Sequence, residues 1–153
     1  MAPADSDRSI QKVKHKTIAV SMFALLGVLA AFGFWPHRLS VEIPFDYYAG
    51  SVAMPAGTYL IEGHTENRAI LLVRNRRGSA HAIVATRPEG IVAGDRSELL
   101  FHRYGNTYFL ARITDGTSGA VRRLPVSDKE KEMAAVTAAK PELYALVVNG
   151  PPS

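Results

Sequence analysis

Nineteen consecutive residues, Thr17 to Trp35, carry no charge. As a helix rising about 1.5 Å per residue, such a run spans roughly 28 Å, close to the ~30 Å hydrocarbon thickness of a bilayer. Three readings compete: a retained single-pass anchor, a cleaved secretory signal, and a buried helix of a soluble core. An uninterrupted apolar run of this length is unusual in a small globule. A signal peptide has a shorter apolar core of about 7–15 residues and closes on small side chains. This run closes on Phe32, Phe34 and Trp35, although Ala31 and Gly33 offer a cleavage pair. Trp35 followed by Pro36, His37 and Arg38 suits a membrane–water boundary, where an indole sits well and a helix stops. The retained anchor is the expectation.

The flanks orient it. Arg8, Lys12, Lys14 and Lys16 precede the run, and Arg38 is the one Lys or Arg in the twenty residues after it. The positive-inside rule then puts the N-terminus in the cytoplasm of a bacterial inner membrane and the remainder on the periplasmic side. Ala24, Gly27 and Ala31 fall within about 60° of helical arc, with Ser21 nearby. Small side chains allow close approach of a second helix. Lys12, Lys14, Lys16, Trp35 and Arg38 are the expected membrane-interface residues. The organisation expected is a basic cytoplasmic tail (1–16), a transmembrane helix (17–35), a linker (36–40), an extracytoplasmic β-domain (41–126), and a C-terminal helix with tail (127–153).

Composition narrows the chemistry. The chain has no cysteine, which removes disulfides, thiol nucleophiles and thiolate metal sites. Half of its net charge of +4 lies in the sixteen residues before the run, where four Lys and Arg stand against Asp5 and Asp7. Residues 36–153 hold fourteen Lys and Arg against twelve Asp and Glu. The basic balance therefore speaks for topology and anionic lipid heads, and no nucleic-acid partner is expected.

Beyond the run the pattern is that of strands. Val41, Ile43 and Phe45 alternate, and Pro44 places their strand at a sheet edge. Met54-Pro55-Ala56-Gly57 is a turn. Strands are expected over 58–64, 69–74, 79–86, 98–104, 107–114 and 120–124, with the clearest hairpin closing at Gly105-Asn106. Residues 87–96, with Pro88, Gly90 and Gly94, read as a loop. Ser127-Asp128-Lys129-Glu130 is a capping box opening a helix of about twelve residues, which Pro141 ends. Leu143 to Val148 is apolar without a period, and pattern does not separate helix from strand there. The fold class expected is mainly β: a single transmembrane helix, then a small antiparallel sandwich or barrel with a C-terminal helix.

Val41-Glu42-Ile43-Pro44-Phe45-Asp46, Met54-Pro55-Ala56-Gly57-Thr58-Tyr59, Leu100-Phe101-His102-Arg103-Tyr104-Gly105 and Tyr108-Phe109-Leu110 together resemble a group of uncharacterised exported bacterial β-domain proteins. The resemblance covers roughly residues 40–133. It implies a compact mostly-β domain behind an N-terminal signal or anchor, and it implies no activity.

Signs of catalysis are sparse. His64, His81 and His102 sit on three expected strands, without the spacing of a metal motif. There is no Gly-x-Ser-x-Gly elbow and no phosphate-binding loop. No cofactor or metal is expected. Arg74, Arg76 and Arg77 form the densest basic cluster, a candidate contact for lipid phosphates or an acidic partner surface. Tyr47, Tyr48, Tyr104 and Tyr108 divide between core and contact surface. The expectation is a non-enzymatic, membrane-anchored accessory subunit whose partners are the bilayer and other membrane-protein subunits. Single-helix subunits of energy-converting complexes, respiratory or photosynthetic, share this plan. The alternatives are a secreted periplasmic ligand-binding β-domain with its signal removed, and an unrecognised hydrolase.

Overall fold

The computed structural model describes residues 38–64 and 66–148. Among them no helix is long and apolar enough to cross a membrane. The run 17–35, with Ser21, Ala24, Gly27, Ala31 and Trp35, and the basic residues Lys12, Lys14 and Lys16, lie outside the described residues.

Eleven strands and one helix are described: β1 (Leu39–Ile43), β2 (Tyr47–Ala49), β3 (Val52–Met54), β4 (Gly57–Gly63), β5 (Ile70–Asn75), β6 (His81–Ala85), β7 (Arg87–Ile91), β8 (Ser97–Tyr104), β9 (Thr107–Thr114), β10 (Ala120–Arg123), α1 (Asp128–Thr137) and β11 (Glu142–Val148). They form two sheets. The first, sheet A, is ordered β1-β4-β5-β6; the second, sheet B, is ordered β11-β8-β9-β10-β7. Among the described residues every pairing is antiparallel except one parallel bridge, Tyr48 to Phe109, through which β2 takes the part of β9 that β10 leaves free.

The inner faces make one core. Val41, Ile43, Tyr59, Ile61, Leu71 and Val73 come from sheet A, and Leu99, Phe101, Leu110 and Ile113 from sheet B. Alternation produces this: in β1 Val41 and Ile43 are buried while Ser40 and Glu42 are exposed. Burying one such side chain is worth about 1.5–3 kcal/mol, so this layer dominates the stability. Phe45 continues the alternation past the end of β1. Its ring stacks on Tyr108 at 4.0 Å and meets Phe101 edge-on at 5.1 Å.

The two lateral sides of the sandwich differ. On one, β6 ends at Ala85 and β7 begins at Arg87, so the chain turns from sheet A into sheet B through a single residue, Thr86. That residue is buried, and its amide and hydroxyl both donate to the Ala69 carbonyl. On the other side β1 and β11 are neighbours with no ladder between them. The sandwich is closed at one corner and open at the other.

The structure differs from the sequence expectation at β7 and at β2–β3, and it decides the segment after Pro141, which pattern left open between helix and strand. Residues 87–91 are a strand and not part of a loop. Pro88 and Gly90 are accommodated because β7 is an edge strand, where a missing N–H costs nothing on the solvent side, and because β7 bulges between them at Glu89, opposite the Val121–Arg122 step of β10. Tyr47–Ala49 and Val52–Met54 form a three-residue hairpin turning at Gly50, whose φ of +63° favours glycine. The apolar segment after Pro141 is a strand, and it returns to pair with β8 along its whole length, from Glu142–Arg103 to Val148–Ser97.

Candidate functional site

The sequence pointed to arginines, histidines and tyrosines, and the fold distributes them over three places.

The first is the outer face of sheet A. Here β4 and β5 pair so that Glu62 stands opposite Leu72, and Leu60 opposite Arg74. The Glu62 carboxylate forms an ion pair with Arg38 through one oxygen at 2.6 Å and accepts a hydrogen bond from Arg74 on the other at 3.4 Å. The expected interface residue Arg38 and the expected contact residue Arg74 therefore share one counter-ion, and neither is a free cation. Arg76 and Arg77 are exposed at the β5–β6 turn. Asn75 shapes that turn: it is buried, and its side-chain oxygen accepts from the Arg77 amide at 2.8 Å. The three arginines are thus divided between a sheet face and a loop tip. The tip lies at the end of β5 away from the level of Arg38, about four residues or ~13 Å along the strand.

The second place is the junction of α1 with sheet B. Ser127 caps the helix, its Oγ accepting from the Glu130 amide at 3.2 Å. The carboxylate of Glu130 does not serve the cap. It points to β8, where His102 Nδ1 meets it at 2.6 Å and the Tyr104 hydroxyl donates to it at 3.3 Å. Glu130 is the one buried residue of α1. A charge is tolerated there because two hydrogen-bonding groups face it. Burial, and then the Glu130 charge, push the Tyr104 phenol above its ordinary range. A carboxylate, an imidazole and a phenol in line have the composition of an acid–base relay. Their arrangement is that of a clasp: the carboxylate is enclosed and ties the helix to the sheet over the buried Phe109, which Tyr48 stacks at 5.0 Å and Tyr104 meets edge-on.

The other histidines stand elsewhere. His64 Nδ1 accepts from the amides of Glu66 and Asn67 in its own turn, and His81 is exposed at the start of β6. The three strand histidines do not converge. Among the described residues no group of three or more His, Asp and Glu is placed to hold a metal ion. Tyr47 and Tyr104 are buried, while Tyr48 and Tyr108 are half-buried and stacked on neighbours.

The third place gave no sequence signal. β11 forms the outermost strand of sheet B, beside the open corner. Tyr144 and Leu146 share the inner face with their partners Phe101 and Leu99, while Leu143, Ala145 and Val147 face outward with Leu100. Leu143 is 67% exposed and Val147 46%. Between β11 and β1 lies a cleft of about 320 Å³ lined by Val41, Glu42, Pro44, Leu146, Val147 and Val148. Two further shallow clefts are described. One lies over β7, β9 and β10, where Glu89 pairs with Arg123 and Glu98 with Arg112; the other is beside Tyr48 and Pro55.

No protein-family model matches the chain, and no curated protein and no solved structure matches it at a significant level.

Proposed function

We propose that this chain is a single-pass membrane protein whose β-domain, on the extracytoplasmic side, works as a non-catalytic interaction module, an accessory subunit of a larger membrane assembly. The observation that carries the proposal is the uncharged run Thr17–Trp35 with four basic residues ahead of it and one Arg behind it. Three residues separate Trp35 from the first strand at Leu39. Their extended reach is about 10 Å, so an inserted run would keep the domain near the bilayer surface. The domain's surface supports the reading in a second way. Several of its charged groups pair with each other, as in Arg38–Glu62–Arg74 and Glu89–Arg123, while β11 exposes three large apolar side chains, Leu143, Tyr144 and Val147, on one strand.

Membrane fractionation with alkaline carbonate, followed by N-terminal sequencing, tests the proposal. The full chain stays with the membrane and keeps residues 1–16. Leu26→Arg, which places a charge at the centre of the run at a cost of about 2.5–3.5 kcal/mol, releases a measurable fraction. A carbonate-soluble periplasmic protein beginning near Phe34 overturns the anchor and leaves the secreted binding domain.

A further inference from the structure

We propose that the free edge of β11 is a docking strand for a second copy of this chain, joined antiparallel about a two-fold axis through Ala145.

Edge strands carry a row of unpaired N–H and C=O groups, and soluble domains guard them with charge, proline or short length. Three other edges here are guarded, and the fourth, β6, is a shorter strand of five residues that has neither charge nor proline and exposes Ile83. β1 has Glu42 and is followed by Pro44. β7 has Arg87, Pro88 and Glu89. β3 is three residues long. β11 has seven residues, no proline and one charge, Glu142, which lies 3.7 Å from Arg103 of its own sheet. It pairs with β8 on one side and, among the described residues, with no strand on the other.

The occupant follows from the strand's own pattern. A two-fold axis through Ala145 puts Leu143 opposite Val147 of the copy, Tyr144 opposite Leu146, and Glu142 opposite Val148. No charge meets a like charge, and the smallest side chain of the strand lies on the axis, where identical residues crowd each other. Outward, the exposed Leu143 and Val147 cover one another on both sides of the axis. Inward, Tyr144 is a half-exposed ring held by Phe45 and Tyr108, at 5.4 and 5.6 Å. Leu146, its counterpart across the axis, lines the cleft that also contains Val41 and Pro44. Knob and hole therefore sit one residue either side of Ala145, as an isologous contact requires.

A ladder of this length alone buries less than the roughly 1,200 Å² of a stable interface, so the pair is weak in dilute solution and gains from confinement in a bilayer. Its strength rests on the proposed anchor; its register does not.

The chain has no cysteine, so single cysteines report cleanly. The full chain is oxidised in membranes and in detergent. Opposed residues of an antiparallel pair have Cα atoms about 4.5–5.5 Å apart, within disulfide range. Ala145→Cys is expected to form a covalent dimer at least about tenfold faster than the exposed off-edge control Val136→Cys, because pairing raises the effective concentration. Leu143→Cys alone and Val147→Cys alone link no faster than that control. The double variant links again, since the two sites are about 13 Å apart within one strand and join only between copies. An Ala145→Cys that matches the control, a Leu143→Cys that links as fast as Ala145→Cys, or capture of a different protein at position 145 overturns the proposal. A released, cleaved chain showing the same linkage pattern overturns the anchor alone.

Discussion

β1 and β11 are neighbours on the open side of the sandwich, each the last strand of its sheet, yet they are built for opposite ends. β1 alternates cleanly, carries Glu42 outward and ends against Pro44; Arg38, just before it, is tied to Glu62 on β4. β11 is apolar on both faces, and its outward side chains meet solvent. Both strands bury the same kind of inward residue. The difference lies wholly in what they show to a third strand: one edge is closed to addition and the other is open.

The comparison can be broken most severely from beneath. Phe101 lies opposite Tyr144 of β11, and its ring touches Phe45, which follows β1. Phe101→Ala should cost about 3–5 kcal/mol and loosen both edges together, read as a lower urea midpoint at unchanged slope. Loss confined to β11 would show that the two edges do not share a support.

Alkali should act on the same core. Burial, with the neighbouring Tyr59 phenol adding to it, holds the Tyr47 phenol far above its ordinary range, and Tyr104 is raised too. Both groups have a folded pKa above the unfolded value near 10. Their contribution is whole below about pH 10 and is lost as the pH climbs through the folded values, because the unfolded chain gives up its protons first. Circular dichroism should show a stability plateau below pH 10 and a decline above it. A decline beginning near neutrality would contradict the burial of these phenols.

The clasp separates the edges. Glu130→Ala leaves His102 and Tyr104 facing an empty place and should cost about 1–3 kcal/mol. Because α1 leads into β11, hydrogen exchange should rise in α1 and β11 and not in β1. At the bottom of the scale are exposed changes. Arg38→Ala removes an ion pair whose arginine is 76% exposed, and should cost less than about 1 kcal/mol. Val147→Lys should change folding by no more than about 0.5 kcal/mol while giving β11 the guard it lacks. A larger folding loss in either variant would mean that the edge is packed in the monomer.

Much of the fold could be read in advance, and the parts that could not share a cause. The β8–β9 hairpin was legible because Gly105-Asn106 marks the turn and both strands flanking it are long; α1 was legible from Ser127 and Glu130. β2 and β3 were not, since three residues cannot display a period. β7 was hidden by Pro88 and Gly90, which speak against a strand unless that strand is known to be an edge. Leu143–Val148 was ambiguous because a strand with apolar residues on both faces has no alternation to show. The surface was less legible than the fold. Glu130 looked like half of a capping box, and its real partners, His102 and Tyr104, stand 28 and 26 residues away. Arg74 looked like part of a basic cluster until strand register set it beside Glu62, twelve residues earlier. Local pattern finds elements; register decides which charges remain available.

The most direct test is hydrogen–deuterium exchange on the full chain in bilayers at rising protein-to-lipid ratio. Amides of residues 142–148 should gain protection as the surface density increases, while those of 39–43 stay constant. Unchanged exchange in β11 across the whole density range, or protection arising in β1 instead, would contradict the account.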